Sequence, residues 1–164
     1  IEALRLIGKY LVKSVEEPEN LEARGGMLVG SCLAGISFLK GLGFVHAISH
    51  MVGAEYDTQH GLTNAIILPV VLRYNLPSLD KKRRNMAHAL GMLDNSSDGF
   101  IREIETKLDR LNIPNSLAEI DVPFDCASRI AEKAMLDSAA STNPVKADLS
   151  TLKTLVEKSI KEAR

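Results

Sequence analysis

An all-α fold is predicted by three features of the chain. Apolar residues recur three and four positions apart in one stretch after another. Proline and glycine separate those stretches. No run alternates apolar with polar residues as a half-buried strand does, and no internal repeat is present. The expectation is a multi-helix, bundle-like domain with no substantial sheet.

Leu4, Ile7, Leu11, Val12 and Val15 stand at helical spacing and predict a first helix over residues 1–14. Glu16, Glu17, Pro18, Glu19 and Asn20 break it, because proline disfavours helix in the residue before it. A second helix is expected over 21–39. Its Gly26, Gly30, Ala34 and Ser37 set small side chains near one stripe, which favours close packing of another helix. Gly41, Leu42 and Gly43 end that segment, and a third helix is expected over 44–52, followed by a turn over 53–59.

From His60 a helix over 60–74 resumes, with a kink or restart at Pro69, whose ring removes an internal hydrogen bond. Pro77 closes it. Helices over 79–90 and 97–111 follow, the latter with Ile101, Ile104, Leu108 and Leu111 on one face. Ile113, Pro114 and Asn115 form a loop. Pro123 suits the first turn of a helix reaching Ser138. Ser141, Thr142, Asn143 and Pro144 break the chain again, and 149–163 supplies the last helix on Leu149, Leu152, Leu155, Val156 and Ile160.

Composition excludes several functions. The 164 residues are 45% hydrophobic and 25% charged with net charge −1, which suits one soluble domain. Lys+Arg 20 against Asp+Glu 21 leaves no basic footprint, so no nucleic-acid partner is expected. The cluster Lys81, Lys82, Arg83 and Arg84 reads as a solvated helix start. Cys32 and Cys126 lie far apart in apolar helical contexts and read as buried free thiols of a reducing compartment. No apolar run is long enough to span a bilayer and no signal-peptide layout opens the chain. A cytoplasmic location and no membrane partner are therefore expected. Ile1 begins in helical register without an initiator methionine, so the chain reads as an excerpt of a longer one.

The chemistry gathers in one place. Three of the four histidines, His46, His50 and His60, lie within fifteen residues. His46 and His50 are four residues apart, so their rings leave one helix face with Cβ atoms about 6 Å apart. A turn containing Gly53 and Asp57 lets the chain fold back and aim His60 at the same point. Imidazoles so placed can bind a metal or move protons near neutral pH, or can serve as ordinary hydrogen-bonded histidines, and spacing alone does not choose among zinc, iron, copper and nickel. A metalloprotease helix is excluded, because its general-base Glu would follow His46 and Ala47 stands there. A structural zinc site is disfavoured, since neither cysteine is spaced to complete four ligands. His88, in Asn85-Met86-Ala87-His88, reads as an ordinary helical histidine.

The string GLGFVHAISHMVGAEYDTQHGLTNAIILPVVLRYN, from Gly41 to Asn75, resembles the signature of the iron-containing (group III) alcohol dehydrogenases. The match runs through Gly-Leu-Gly, His-Ala-x-x-His, His-Gly-x-x-Asn-Ala, Leu-Pro and Tyr-Asn; Leu33 to Phe38 and Asn143-Pro144 extend it over most of the chain. The resemblance implies the helical C-terminal domain of a two-domain enzyme, similar to the dehydroquinate synthase-like C-terminal domain. It implies Fe2+, or Zn2+, held by an Asp and a His of a D-A-x-x-H motif together with two later histidines, which correspond to His46 and His60. His50 matches the histidine beside the nicotinamide that assists proton transfer, and so counts as both catalytic and cofactor-binding. Phe38 is a candidate for the substrate pocket.

Two departures shape the expected function. No D-A-x-x-H motif and no glycine-rich phosphate loop occur in these residues, and Val145 follows Asn143-Pro144 where the family usually has Arg. Residues 1–164 are thus expected to be a single helical metal-binding and catalytic domain, truncated at its N-terminus and lacking the nucleotide-binding domain. The parent reaction would be reversible hydride transfer between an alcohol or aldehyde and NAD or NADP, the nucleotide bound mainly by the missing domain. Alone, the chain is expected to be inactive and to self-associate through an apolar face that the missing domain would cover. Two other readings are a helical scaffold that has lost the reaction and a metal-independent relative of the maleylacetate reductase type.

Overall fold

A computed structural model describes all of residues 1–164, as eight α-helices with short 3-10 turns and no strand. The all-α expectation holds. The helices are α1 (Glu2–Glu16), α2 (Leu21–Ser37), α3 (Gly43–Tyr56), α4 (His60–Asn75), α5 (Asp80–Ala89), α6 (Ser97–Arg110), α7 (Ala127–Leu136) and α8 (Leu149–Lys161). They group into two compact units, one of Ile1–Lys40 with Leu76–Leu111 and one of Gly41–Asn75 with Asn112–Arg164. No single helix is long and apolar enough to cross a membrane.

In the first unit α1 packs along α2. Asn20 starts α2 by accepting a hydrogen bond from the Ala23 N–H at 3.0 Å, which satisfies one donor the helix leaves open. The small residues then set the helix separation. A Cβ at Gly26 would lie 2.2 Å from Cδ2 of Tyr10, and one at Gly30 would lie 3.1 Å from Cγ1 of Ile7. The Tyr10 hydroxyl donates to Glu22 at 2.8 Å, so the ring is held over the gap that Gly26 leaves. In the same unit Ser96 caps α6 through the Gly99 N–H at 2.9 Å.

The second unit is built round one apolar cluster. Phe44, Ile48 and Val52 of α3, Ile66, Ile67 and Val70 of α4, Ile130 and Ala134 of α7, and Leu152, Val156 and Ile160 of α8 are buried together. Outside this core, Glu55 of α3 pairs with Arg129 at 2.8 Å and Lys133 at 2.7 Å, both on α7. Asp148 caps α8 through the Thr151 N–H at 2.8 Å.

Several boundaries differ from the sequence expectation, each for a local reason. The turn expected over 53–59 is shorter, because α3 runs to Tyr56 and ends where Asp57 takes the left-handed conformation (φ 52°) in which glycine is more usual. Buried Val52 and partly buried Tyr56 anchor that extra turn to the core. α4 continues through Pro69 without a restart, and Pro69 is buried, which offsets the hydrogen bond its ring removes. The second helix ends at Ser37 and passes into a 3-10 turn over Phe38–Lys40. Pro123 precedes a 3-10 turn, Phe124–Cys126, so α7 starts at Ala127, and it stops at Leu136 because Asp137 is extended.

Two side-chain expectations also change. Cys126 is a buried free thiol as expected, whereas Cys32 is exposed on α2. Arg83 is buried rather than solvated, and pairs with Asp80 one turn earlier. α2 also leaves Leu28 and Ile36 exposed, and Leu39 is exposed on the 3-10 turn that follows it.

Gly26 is the sharpest test of the first unit. Gly26→Ala is expected to cost about 1–3 kcal/mol, the usual penalty of overpacking, since the new methyl must displace the Tyr10 ring. Chemical denaturation of the variant beside Gly25→Ala, where a Cβ meets nothing within 4 Å, measures it. Equal stability of the two variants would sink the packing account.

Candidate functional site

The histidines sit on the pair α3 and α4. Within α3, His46 and His50 lie one turn apart and are half-buried, their ring centroids 5.8 Å apart. The turn Asp57–Gln59 returns the chain so that His60 opens α4, with its ring 5.2 Å from His46 and 5.5 Å from His50. All three imidazoles are thus brought together. Phe38 belongs to the first unit, on the 3-10 turn after α2, with about half of its surface exposed (54%). His88 lies exposed on α5 in that unit.

Proximity does not make the three rings equivalent. Asn64, one turn after His60 on α4, puts its Nδ2 3.0 Å from His60 Nε2 and 3.4 Å from His46 Nε2. An amide nitrogen only donates, so both Nε2 atoms face one point with their lone pairs. The amide oxygen of Asn64 is left buried with no hydrogen-bond donor. His46 also bonds to the Leu42 backbone. Burial, then the neighbouring imidazoles of His60 and His50, hold His46 below the usual imidazole range, against the opposing pull of Leu42 and of the Asp137 carboxylate. A neutral imidazole ligates metal through the ring nitrogen that carries its lone pair.

His50 is engaged elsewhere. Its Nδ1 lies 3.0 Å from Oδ2 of Asp137, 87 residues later, just past the end of α7. No three His, Cys, Asp or Glu side chains converge in a metal-holding arrangement. The residues present offer a divalent cation two imidazole donors, His46 and His60, and no further ligand. The buried Asn64 oxygen without a donor marks this as a polar pocket whose hydrogen bonds are incomplete.

The helix bearing these rings is held at its start by a distant segment. α3 has no capping side chain of its own. Instead the N–H groups of Leu42 and Gly43 donate to Oγ1 of Thr142 at 3.1 and 3.3 Å, and the Phe44 N–H donates to Oδ1 of Asn143 at 3.1 Å. Asn143 exchanges further bonds with Asn75, at the end of α4, at 3.1 and 2.9 Å, and donates to the Val145 carbonyl at 2.7 Å. Gly41 and Gly43 permit this approach. Their φ values are +100° and +74°, and a Cβ at Gly41 would lie 2.4 Å from that of Thr142. The segment 137–143 thus fixes both the start of α3 and the ring of His50.

Sequence reasoning located the three histidines and missed three of their supports. Asn64 carried a usable signal, its i+4 spacing from His60. Asp137 carried none, since nothing local links it to residue 50. Asn143-Pro144 stood out in the sequence without a role; the structure supplies one for Asn143, as a cap acting across the fold.

Comparison with known proteins follows the same lines. Residues 1–160 match the family model described as the C-terminal part of the Fe-containing alcohol dehydrogenase family. The chain is 34% identical over 151 residues to the NAD-dependent methanol dehydrogenase of Bacillus methanolicus, covering 88% of this chain and 40% of that protein. It is 36% identical over 156 residues to the 1,3-propanediol dehydrogenase of Citrobacter freundii, covering 89% and 40%. The chain thus spans about two fifths of the length of these relatives. The crystal structure of a 1,3-propanediol oxidoreductase superposes with a TM-score of 0.92 at 32% identity, over 97% of this chain and 44% of that one.

The cap gives a direct stability test. Asn143→Ala leaves the Phe44 N–H and the Asn75 amide without partners in the interior, at about 1–3 kcal/mol for each such group. A loss of about 3 kcal/mol or more in denaturant unfolding is expected. A loss under about 1 kcal/mol would mean that the cap is dispensable.

Proposed function

The chain belongs to the Fe-containing alcohol dehydrogenase family, and from that membership we propose that it is the helical metal-binding part of an NAD(P)-dependent alcohol dehydrogenase. The reaction is reversible hydride transfer between an alcohol and its aldehyde. The observation that carries this reading is the convergence of the His46 and His60 Nε2 lone pairs on one point. His46 and His60 would hold Fe2+, or Zn2+, as two imidazole ligands, and the remaining ligands would come from outside these 164 residues or from solvent. When bound, the metal supplies Lewis acidity at the alcohol oxygen and the nicotinamide supplies the hydride acceptor.

The chain's own residues bind and move a proton. α3 and α4 set the two ligand rings on rigid helices, so the donor atoms stay aimed while substrate comes and goes. His50 takes the hydroxyl proton at Nε2, the ring nitrogen that Asp137 leaves open. The O–H bond breaks with its electron pair kept on oxygen; with a nicotinamide bound, that cofactor would supply the acceptor for the C–H electron pair as the carbonyl forms. His50 then releases the proton to water. Its side chain is 36% exposed, which gives that route. The nucleotide is held mainly by residues outside this chain, whose structure contains no strand followed by a phosphate-binding loop. Alone, the chain turns over no alcohol.

Metal titration tests the reading. Co2+ or Zn2+ is expected to bind the 164-residue chain weakly, through two imidazoles, with His46→Ala and His60→Ala each lowering affinity more than about tenfold and His88→Ala leaving it unchanged. Binding indifferent to residues 46 and 60, or no binding at all, overturns the metal-site reading and favours a scaffold that has lost the chemistry.

A further inference from the structure

We propose that Asp137 is the positioning residue of the proton-handling histidine, holding His50 in the tautomer that keeps Nε2 unprotonated. The inference rests on His50 as the residue that takes the hydroxyl proton. It adds the group that makes His50 competent to do so. An imidazole can accept a proton only through a nitrogen that carries a lone pair, and a neutral ring has one such nitrogen. Which nitrogen it is depends on the partner of the other.

The geometry decides this for His50. Oδ2 of Asp137 lies 3.0 Å from Nδ1. The same carboxylate is fixed at its second oxygen, Oδ1, which accepts the Ala139 N–H at 2.7 Å. Residue 137 sits in extended backbone at the end of α7, with its side chain only 13% exposed. Both oxygens are thus oriented, and an ionised carboxylate only accepts. The proton of neutral His50 therefore stays on Nδ1, and Nε2 holds the lone pair. The bonds from Thr142 and Asn143 to the start of α3 keep the two partners in register, since strap and helix are joined at both places.

Apart from its pull on His46, the weakest of the causes acting there, Asp137 makes no other contact that would demand a carboxylate at this spot. The Ala139 N–H needs one acceptor oxygen, which an asparagine supplies equally well. That equivalence makes Asp137→Asn the informative variant. Its amide oxygen remains on the Ala139 N–H, so Nδ2, a donor, turns toward His50 Nδ1. Two donors cannot face each other, so the ring proton must move to Nε2. A similar exchange in the serine protease triad leaves geometry intact and traps the wrong tautomer.

The test reads the tautomer directly in the 164-residue chain, with no metal or nucleotide added. Two-dimensional 1H–15N spectra of the 15N-histidine-labelled protein are recorded where the imidazoles are neutral, with His50 assigned through His50→Gln. Wild type is expected to show the His50 proton on Nδ1. Asp137→Asn is expected to invert the population, and Asp137→Ala to let both forms appear. A wild-type proton on Nε2, or the same tautomer in wild type and in both variants, overturns the positioning role. The wild-type spectrum alone is decisive if a variant fails to fold. Because no metal enters the measurement, a failed metal titration leaves this result standing, and a failed tautomer prediction leaves the ligand role of His46 and His60 standing.

Discussion

The donors that open α3 are satisfied by Thr142 and Asn143, about a hundred residues later, and the site depends on that arrangement. A helix begins with N–H groups that have no partner inside it, and burying them unpaired is costly. Gly43 and Phe44 are buried, and no capping side chain precedes them. The acceptors had to come from elsewhere in the fold. Once they do, the position of His46 along α3 is tied to the segment ending at Asn143. Asn143 also engages Asn75, so the end of α4 is tied to the same segment. Two helices bearing three imidazoles are joined through one buried amide.

That constraint explains why glycine stands at two nearby positions. Gly41 and Gly43 take φ values that L side chains rarely adopt, and a methyl at Gly41 would run into Thr142. The other small residues act differently. Gly26 and Gly30 bring α1 against α2 inside the first unit and contribute no polar contact. Glycine thus serves two purposes here, close packing of apolar helices and access of a polar strap to a helix start.

Within the cluster, hydrogen-bond partners separate roles that composition left equal. His46 and His60 share Asn64 and face one point, whereas His50 is drawn to a carboxylate. Imidazoles lying 5.2–5.8 Å apart could share a task on distance alone. The partners set two rings against a shared amide and the third against a carboxylate.

Much of this was legible in the chain. The helices followed from the 3.6-residue period, and they erred chiefly at their ends, where Asp57 took a glycine-like conformation and Asp137 stopped α7 early. Pro69 suggested a kink or a restart and α4 does not restart there, and Arg83 looked solvated though the fold buries it. The i, i+4 pair and the shared motifs located the three histidines and the family. Local spacing can carry such information because it acts through one helix or one turn. Asp137 facing His50, Thr142 and Asn143 capping α3, and the burial of Arg83 join residues distant in sequence. Only the folded chain determines which of many acceptors reaches a given donor. By itself the sequence determined the helices and the chemical groups available to the site; the tertiary structure decided which partners each ring meets, because Asp137 and Asn143 are brought in from far along the chain.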